Sequence, residues 1–183
     1  AVTTPAEGLK PGAAQIHDDA PGNLALDFHY GDAEAVKKAF AEAAHVTRLD
    51  IVSNRIVVSP MEPRSAIGSW DPKTERYTLN VGCQGVMGLR GGLARDVLNV
   101  PTDKVRVLTG NVGGSFGMKS QVYPEYGPLL LAARLLGRPV KWTDERSESF
   151  LSDHHGRDHQ RIAELALDKD GRFLAVRLTG IGG

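Results

Sequence analysis

The chain has 183 residues, 41% of them apolar, which is enough for one domain of ordinary size with a substantial core. Lysine plus arginine and aspartate plus glutamate both number 22, which argues against a surface for nucleic acid or anionic membranes. No apolar run reaches the ~18 residues of a membrane span, and the single cysteine excludes a disulfide framework and a cysteine-rich zinc or iron–sulfur site. The single cysteine fits a reducing compartment and nothing at the start resembles a signal peptide, so we expect a cytoplasmic location.

The first half of the chain predicts a leading segment, one helix and three strands. Residues 1–22 are rich in Pro, Gly and Ala without periodicity, which predicts a linker or the tail of a preceding element. Asp32 is the predicted N-cap of a helix that ends near residue 44. Ile and Val in residues 47–59 predict a strand with a bend or bulge at Ser53-Asn54, and residues 66–83 predict a hairpin.

The second half alternates helices and strands irregularly. The predicted elements are a helix over 84–100, a strand over 103–110, a buried helix ending at Gly137, a strand over 140–143, a short helix over 144–153 and a hairpin over 160–180. The first of these helices contains Gly88, Gly91 and Gly92, which lower its helix propensity. The alternative is that these glycines let a neighbouring element pack closely. The element order predicts an α+β fold, with mixed sheets and packed helices, rather than a regular βαβ array.

The sequence GNVGGSFGMKSQ, residues 110–121, is a glycine-rich loop between a predicted strand and a predicted helix. It fits no standard phosphate cradle: Lys119 is one residue out of register for a P-loop, and Val112 stands where a Rossmann turn needs glycine. Gly113 and Gly114 could still adopt positive φ and expose successive N–H groups to an anion. A tight corner before a packed helix is an equally good interpretation of the loop alone.

Several segments together resemble the molybdenum hydroxylases, the family of xanthine dehydrogenase, aldehyde oxidase and the carbon monoxide dehydrogenase large subunit. The resemblance rests on GGSFGMK, IHDDAPGN, NRIVVSPMEPR, GCQGVMGLR and the long run from Val122 to His159, in the family's order. It covers nearly the whole chain and is closest to the bacterial large subunits. It implies that residues 23–183 are the N-terminal portion of a molybdopterin-binding domain, and that the chain is a fragment of that subunit.

The resemblance also assigns roles to residues. It implies cofactor contacts from Gln84, Gly113, Gly114, Ser115, Phe116 and Gly117. Gln84 matches a glutamine whose amide donates to the apical oxo group on molybdenum; without the resemblance, the alternative is that it caps the first turn of its own helix. Phe116 would form one wall of the substrate pocket. Ser120 would line it too, and because it replaces the glutamate of purine-oxidising members, an aldehyde or another N-heterocycle is expected as the substrate.

The implied chemistry is hydroxylation with oxygen from water, on a molybdenum–molybdopterin cofactor, expected as the cytosine dinucleotide form. The base glutamate of the family belongs further downstream, so we expect no catalytic residue and no side-chain metal ligand here, and no activity from the isolated chain. Expected partners are the remainder of the large subunit and subunits that carry iron–sulfur clusters and FAD. The alternatives are a stand-alone phosphate- or nucleotide-binding module and a non-catalytic interaction domain.

Two other features have simpler interpretations. The segment SDHHGRDHQ contains His155 and His159 at a spacing that zinc sites use, but it lacks the H-E-x-x-H pattern. A polar turn in which Arg157 pairs with the neighbouring acids is the preferred prediction. Cys83 is expected to be a small buried residue rather than a reactive thiol.

Overall fold

The computed structural model describes residues 4–183. The α-helices are α1 (Pro5–Gly8), α2 (Ala33–Glu42), α3 (Val86–Gly92), α4 (Tyr126–Leu136) and α5 (Arg146–Ser152). The strands are β1 (His45–Ser53), β2 (Ser65–Asp71), β3 (Arg76–Val81), β4 (Val105–Leu108), β5 (Val140–Thr143), β6 (His159–Leu167) and β7 (Phe173–Gly182). No helix within the described range is long and apolar enough to cross a membrane. The mixture of helices and two sheets confirms the α+β prediction.

The chain divides into two compact units, and the first combines the residues up to Ile56 with Arg157–Gly183. Its antiparallel sheet has the order β1-β6-β7. The predicted hairpin is confirmed, and it turns where the Asp168 carboxylate accepts N–H bonds from Asp170 and Arg172. The predicted strand over 47–59 is too long, because β1 ends at Ser53, where a bend was expected.

Helix α2 forms as its sequence predicts. The Asp32 carboxylate caps it by accepting from the backbone N–H of Ala35 at 2.9 Å. The helix packs on β7, where the Arg177 guanidinium lies 4.4 Å from the centre of the Phe40 ring. Helix α2 therefore lies on the face of the sheet to which Arg177 belongs.

The opposite face of this sheet is apolar and exposed. Leu49 and Leu178 both align with Ala163 of the central strand, so they share a face, and both are more than half exposed, as is Val176. Among the described residues of this unit, only Gly8 and Ala166 are buried. The unit is therefore held largely by its backbone ladders rather than by a core.

The segment before α2 contains local structure of its own. The Asn23 side chain donates to the carbonyls of Gly8 and Ala14, and it accepts from the N–H of Ile16. Part of the predicted leading segment, residues 1–3, lies outside the described residues. The boundary after residue 22 stays a prediction.

The second unit, Val57–Gly156, contains most of the core. Its sheet has the order β4-β3-β2-β5, in which β3 and β4 are parallel and the other pairs antiparallel. Helix α4 packs on β2 and comes so close that a Cβ at Gly68 would lie 3.1 Å from the Leu129 carbonyl oxygen. The largest fully buried apolar side chains are Leu79, Leu89, Leu93, Val105, Met118, Tyr123, Tyr126 and Leu130.

The helix predicted over 84–100 is shorter and less regular than expected. Regular α-helix ends at Gly92, and Leu93–Val97 form a π-helical turn closed by the Leu98 N–H on the Leu93 carbonyl. Paired glycines disfavour regular helix, which accounts for the change. Close packing is confirmed at Gly92, where a Cβ would lie 2.8 Å from Val122, but not at Gly88, which faces open space.

Candidate functional site

The loop between β4 and α4 has an unusual backbone. Gly114, Phe116 and Gly117 have φ values of 102°, 51° and 96°, all in the left-handed region. Glycine adopts this conformation freely, whereas a bulky aromatic residue does so only when its surroundings hold it. Positive φ is thus confirmed at Gly114, but the same prediction for Gly113 is wrong. Gly113 is required for a different reason, because a Cβ there would lie 2.5 Å from the Cβ of Glu62.

The groups that could have cradled a phosphate are already occupied. The Gly113 N–H donates to the Glu62 carboxylate at 2.9 Å, and the Lys119 ammonium donates to the same oxygen at 2.7 Å. Lys119 is only 2% exposed, so its charge is not presented to a ligand. The hydrogen bond from Lys119 is the main cause that lowers the pKa of the Glu62 carboxyl below its ordinary value. The loop therefore binds the carboxylate of Glu62, and its geometry does not support the phosphate-binding alternative.

Gln84 lies just after β3 and is held by the loop at both its backbone and its side chain. Its N–H donates to the Lys119 carbonyl, and its Oε1 accepts from Ser115 Oγ at 2.6 Å and from the Gly117 N–H at 2.9 Å. A backbone N–H can only donate, so the contacted side-chain atom must be the amide oxygen. The Nε2 group has no hydrogen-bond partner among the described residues. The capping alternative is wrong, since α3 has no side-chain cap.

Phe116 and Ser120 lie on different parts of the loop. Phe116 is 79% exposed, and its ring lies over Gly114, where a Cβ would come within 2.9 Å of the ring. The Ser120 hydroxyl donates to the Gly117 carbonyl at 2.7 Å. Ser120 lines a cavity of about 370 Å³ together with Arg95 and Asp96, and Phe116 is not part of that cavity.

The histidine-containing segment links α5 to β6, as predicted, but the predicted pairing of Arg157 with the neighbouring acids is wrong. Asp158 pairs with Arg55 at 3.6 Å rather than with Arg157, and Asp153 pairs with Arg64 instead. Arg157 itself has a φ of 72°, a turn conformation that directs the chain into β6. No group of three His, Cys, Asp or Glu side chains within residues 4–183 is arranged to hold a metal ion. Cys83 is buried, as expected.

A family model described as the molybdopterin cofactor-binding domain matches residues 16–182. The chain belongs to this family.

Named relatives of this molybdopterin cofactor-binding domain are subunits of larger enzymes. It is 43% identical over 149 residues to the 6-hydroxypseudooxynicotine dehydrogenase complex subunit gamma of Paenarthrobacter nicotinovorans, a match that covers 81% of this chain and 18% of that one. It is 29% identical over 190 residues to the carbon monoxide dehydrogenase large chain of Hydrogenophaga pseudoflava, covering 97% of this chain and 24% of that one. The chain thus spans a quarter or less of these relatives' length.

Solved structures share the fold. The chain aligns with a Cu,Mo-containing carbon monoxide dehydrogenase with a TM-score of 0.83 and 28% identity, over 98% of this chain and 24% of the other. It also aligns with quinoline 2-oxidoreductase from Pseudomonas putida 86, with a TM-score of 0.68 and 33% identity, over 80% of this chain and 19% of the other. The α+β fold described above is therefore that of a molybdopterin cofactor-binding domain.

The residues of this molybdopterin cofactor-binding domain fit such a cofactor. The Gln84 Nε2 has both protons available to donate, because only its amide oxygen is used within the described residues. At Gly117 a Cβ would meet no described atom within 4 Å, so a planar group could approach the backbone there. A neutral amide beside an open glycine backbone can donate to a ligand atom of a metal without adding charge.

A buried cluster around Arg64 was not foreseen from the sequence. The guanidinium donates to Glu125 at 2.9 Å and to Asp153 at 2.6 Å, lies 3.5 Å from Asp144, and stacks 3.8 Å from the centre of the Tyr123 ring. Burial by itself would lower the pKa of Arg64, but the hydrogen bonds to Glu125 and Asp153 outweigh it and raise that pKa. The sequence offered one clue to this cluster. Its charged residues, Arg64, Glu125, Asp144 and Asp153, all lie in segments that resemble the family.

Proposed function

We propose that this chain forms part of the molybdenum-cofactor-binding catalytic subunit of an oxidoreductase that hydroxylates an N-heterocycle or an aldehyde with oxygen from water. The observation that carries the proposal is the orientation of Gln84, whose oxygen is fixed by Ser115 and Gly117 while Nε2 remains free to donate. The family match over residues 16–182 supports the identity of the group that would receive this hydrogen bond.

The residues of this chain would bind and orient rather than transfer protons. Gln84 donates a neutral hydrogen bond to a ligand atom of the metal, and the loop from Gly113 to Gly117 brings its backbone against the cofactor. Phe116, exposed within this loop, forms an apolar wall that excludes water and orients a flat substrate. Molybdenum–molybdopterin, when bound, supplies the two-electron redox chemistry of hydroxylation. The general base is expected from a glutamate outside residues 1–183, so the isolated chain is expected to be inactive.

Among substrates, N-heterocycles are favoured over aldehydes. Relatives at 43% and 30% identity are named for 6-hydroxypseudooxynicotine and nicotine, and a structure at 33% identity is named for quinoline. The resemblance implies a carboxylate at position 120 in purine-oxidising members, and here Ser120 has only a hydroxyl, which it donates to the Gly117 carbonyl; this agrees with a substrate other than xanthine. The cytosine dinucleotide form of the cofactor, partner subunits with iron–sulfur clusters and FAD, and a cytoplasmic location complete the proposal.

The test uses the complete gene product, assembled with its partners. Purified enzyme is expected to contain molybdenum and pterin, measured by elemental analysis and by fluorescence of the oxidised pterin. Gln84→Leu removes the donor and is expected to lower kcat by about 100-fold, as loss of one directed donor does elsewhere. Phe116→Ala is expected to raise KM for the heterocycle by about 10-fold.

Gln160→Leu is the matched control, because Gln160 is exposed on β6, outside the proposed site. It is expected to keep wild-type kcat and KM. Absence of molybdenum from the purified enzyme, or wild-type turnover in both the Gln84 and the Phe116 variant, would overturn the proposal.

A further inference from the structure

Glu62 holds the glycine-rich loop at Gly113 through two hydrogen bonds. Its N–H donates to the Gly113 carbonyl at 3.1 Å, while its carboxylate accepts the Gly113 N–H at 2.9 Å. A Cβ at position 113 would lie 2.5 Å from the Glu62 Cβ, so the two backbones touch directly. Both polar groups of Gly113 are therefore held by one residue that lies 51 positions earlier.

Lys119 ties the last residue of the loop to the same glutamate. Its ammonium donates to the Glu62 carboxylate at 2.7 Å and to the Glu62 carbonyl at 2.9 Å. A buried ammonium is costly unless it is paired and hydrogen-bonded, and Lys119 is almost fully buried. The pair thus closes residues 113–119 at both ends.

The closed loop holds Gln84. The Lys119 carbonyl accepts the Gln84 N–H, and the Lys119 N–H donates to Ser115 Oγ, which in turn donates to the Gln84 amide oxygen. Gly117, between these anchors, supplies the second donor to that oxygen. Any movement of Lys119 would therefore change both the backbone and the side-chain contacts of Gln84.

We propose that Glu62 and Lys119 act as a positioning pair, which closes the loop 113–119 and so fixes the direction in which Gln84 Nε2 donates. This inference rests on the proposed function, because the Gln84 amide that the pair orients is the group proposed to face the cofactor. Neither residue touches the cofactor or the substrate in this assignment. Their effect on turnover passes entirely through Gln84 and the loop.

The test compares Glu62→Gln, Lys119→Met and the double variant in the complete, assembled enzyme. Each single variant leaves an uncompensated charge or an unpaired acceptor, so amide hydrogen exchange in residues 113–119 is expected to rise by about 10-fold or more. Turnover per bound molybdenum is expected to fall by about 10- to 100-fold with little change in KM, because a small misplacement of one donor has effects of that size. The double variant removes both charges but still lacks the bonds that close the loop, so its exchange is expected to rise by less than the two single effects combined without returning to the wild-type level.

Glu75→Gln is the matched control, since Glu75 pairs with Lys104 at an exposed hairpin tip and is expected to leave both measurements unchanged. If Glu62→Gln fails to fold, Glu62→Asp keeps the charge on a shorter side chain and is expected to show an intermediate effect. Wild-type rates of amide hydrogen exchange at residues 113–119 in the single variants would show that Glu62 and Lys119 do not close the loop. Faster exchange with unchanged turnover per molybdenum would overturn the positioning role of this pair, and single effects that simply add in the double variant would show that the two residues do not act as a pair. Purified enzyme without molybdenum would instead refute the proposed function. The exchange measurement would still test whether the positioning pair closes the loop.

Discussion

Arg64 joins carboxylates that follow it by 61 and 89 positions, Glu125 and Asp153, and it also lies beside Asp144. The residue is 1% exposed, so its charge depends on these partners rather than on water. Three carboxylates around one guanidinium become an unpaired acidic cluster if the arginine is lost. At the scale of single residues, Arg64 is therefore a structural charge, distinct from the loop residues proposed to face the cofactor.

Replacement of Arg64 by methionine tests this assignment. Arg64→Met is expected to lower the free energy of unfolding by about 3–5 kcal/mol, because it leaves buried carboxylates without their cation. The measurement is urea denaturation followed by circular dichroism.

Lys104→Met is the control within the same unit, because Lys104 forms a solvent-facing pair with Glu75 at 3.5 Å. Its loss is expected to cost under about 1 kcal/mol. Equal costs for the two variants would show that the Arg64 cluster contributes no more than a surface pair.

At the scale of secondary-structure elements, α4 shows how a local signal fixes a boundary. The helix ends at Leu136, and Gly137 follows with a φ of 63°, its N–H bonded to the Arg134 carbonyl. A Cβ at Gly137 would meet no described atom within 4 Å, so only the backbone conformation requires glycine there. Sequence alone predicted this end correctly because a glycine C-cap is a local feature.

Gly137→Ala is expected to destabilise the chain by about 1 kcal/mol, because alanine adopts the left-handed conformation only at that cost. The change in the urea midpoint measures it. Gly156→Ala is the matched control: it too has open space around the added Cβ, but its φ is outside the left-handed region. The control is expected to be neutral or slightly stabilising, through the unfolded state. A loss at Gly156 as large as that at Gly137 would contradict the conformational explanation.

At the scale of the whole molecule, the formal charges sum to zero, but some charged side chains are buried in ion pairs. In the unit Val57–Gly156, Glu62 is paired with a buried ammonium, and its pKa is lower in the folded chain than its ordinary value of 4.5. A depressed folded pKa stabilises the fold at pH values above 4.5, and this contribution is lost as the pH falls through the folded pKa. Stability should therefore fall on acidification, in part through Glu62.

This acid dependence is testable by urea denaturation at neutral pH and at a pH below 4.5. The wild-type chain is expected to lose stability on acidification, and Glu62→Gln is expected to lose less, because position 62 then no longer titrates. Glu75→Gln, at the exposed hairpin tip, should retain the wild-type dependence. Identical pH profiles for wild type and Glu62→Gln would contradict a role for Glu62 in the acid response.

The sequence by itself determined the elements and the family. Caps, hairpin turns and apolar periodicity are local, so α2, α4 and both hairpins could be predicted from short windows, and the loop with Gln84 and Phe116 could be singled out by its resemblance. The irregular end of α3 was missed although its paired glycines had marked this helix as weak, because low helix propensity does not indicate which hydrogen-bond pattern replaces the regular one.

Only the tertiary structure decided what the charged residues do. The glycine-rich loop left a phosphate site open as an alternative, but the ammonium of Lys119 is bonded to Glu62, which lies 57 positions away. No local sequence pattern predicts that Arg64 contacts Glu125 and Asp153, because these residues lie 61 and 89 positions further along the chain. The physical reason is that a buried charge takes its role from its partners, and chain folding brings those partners together from distant positions.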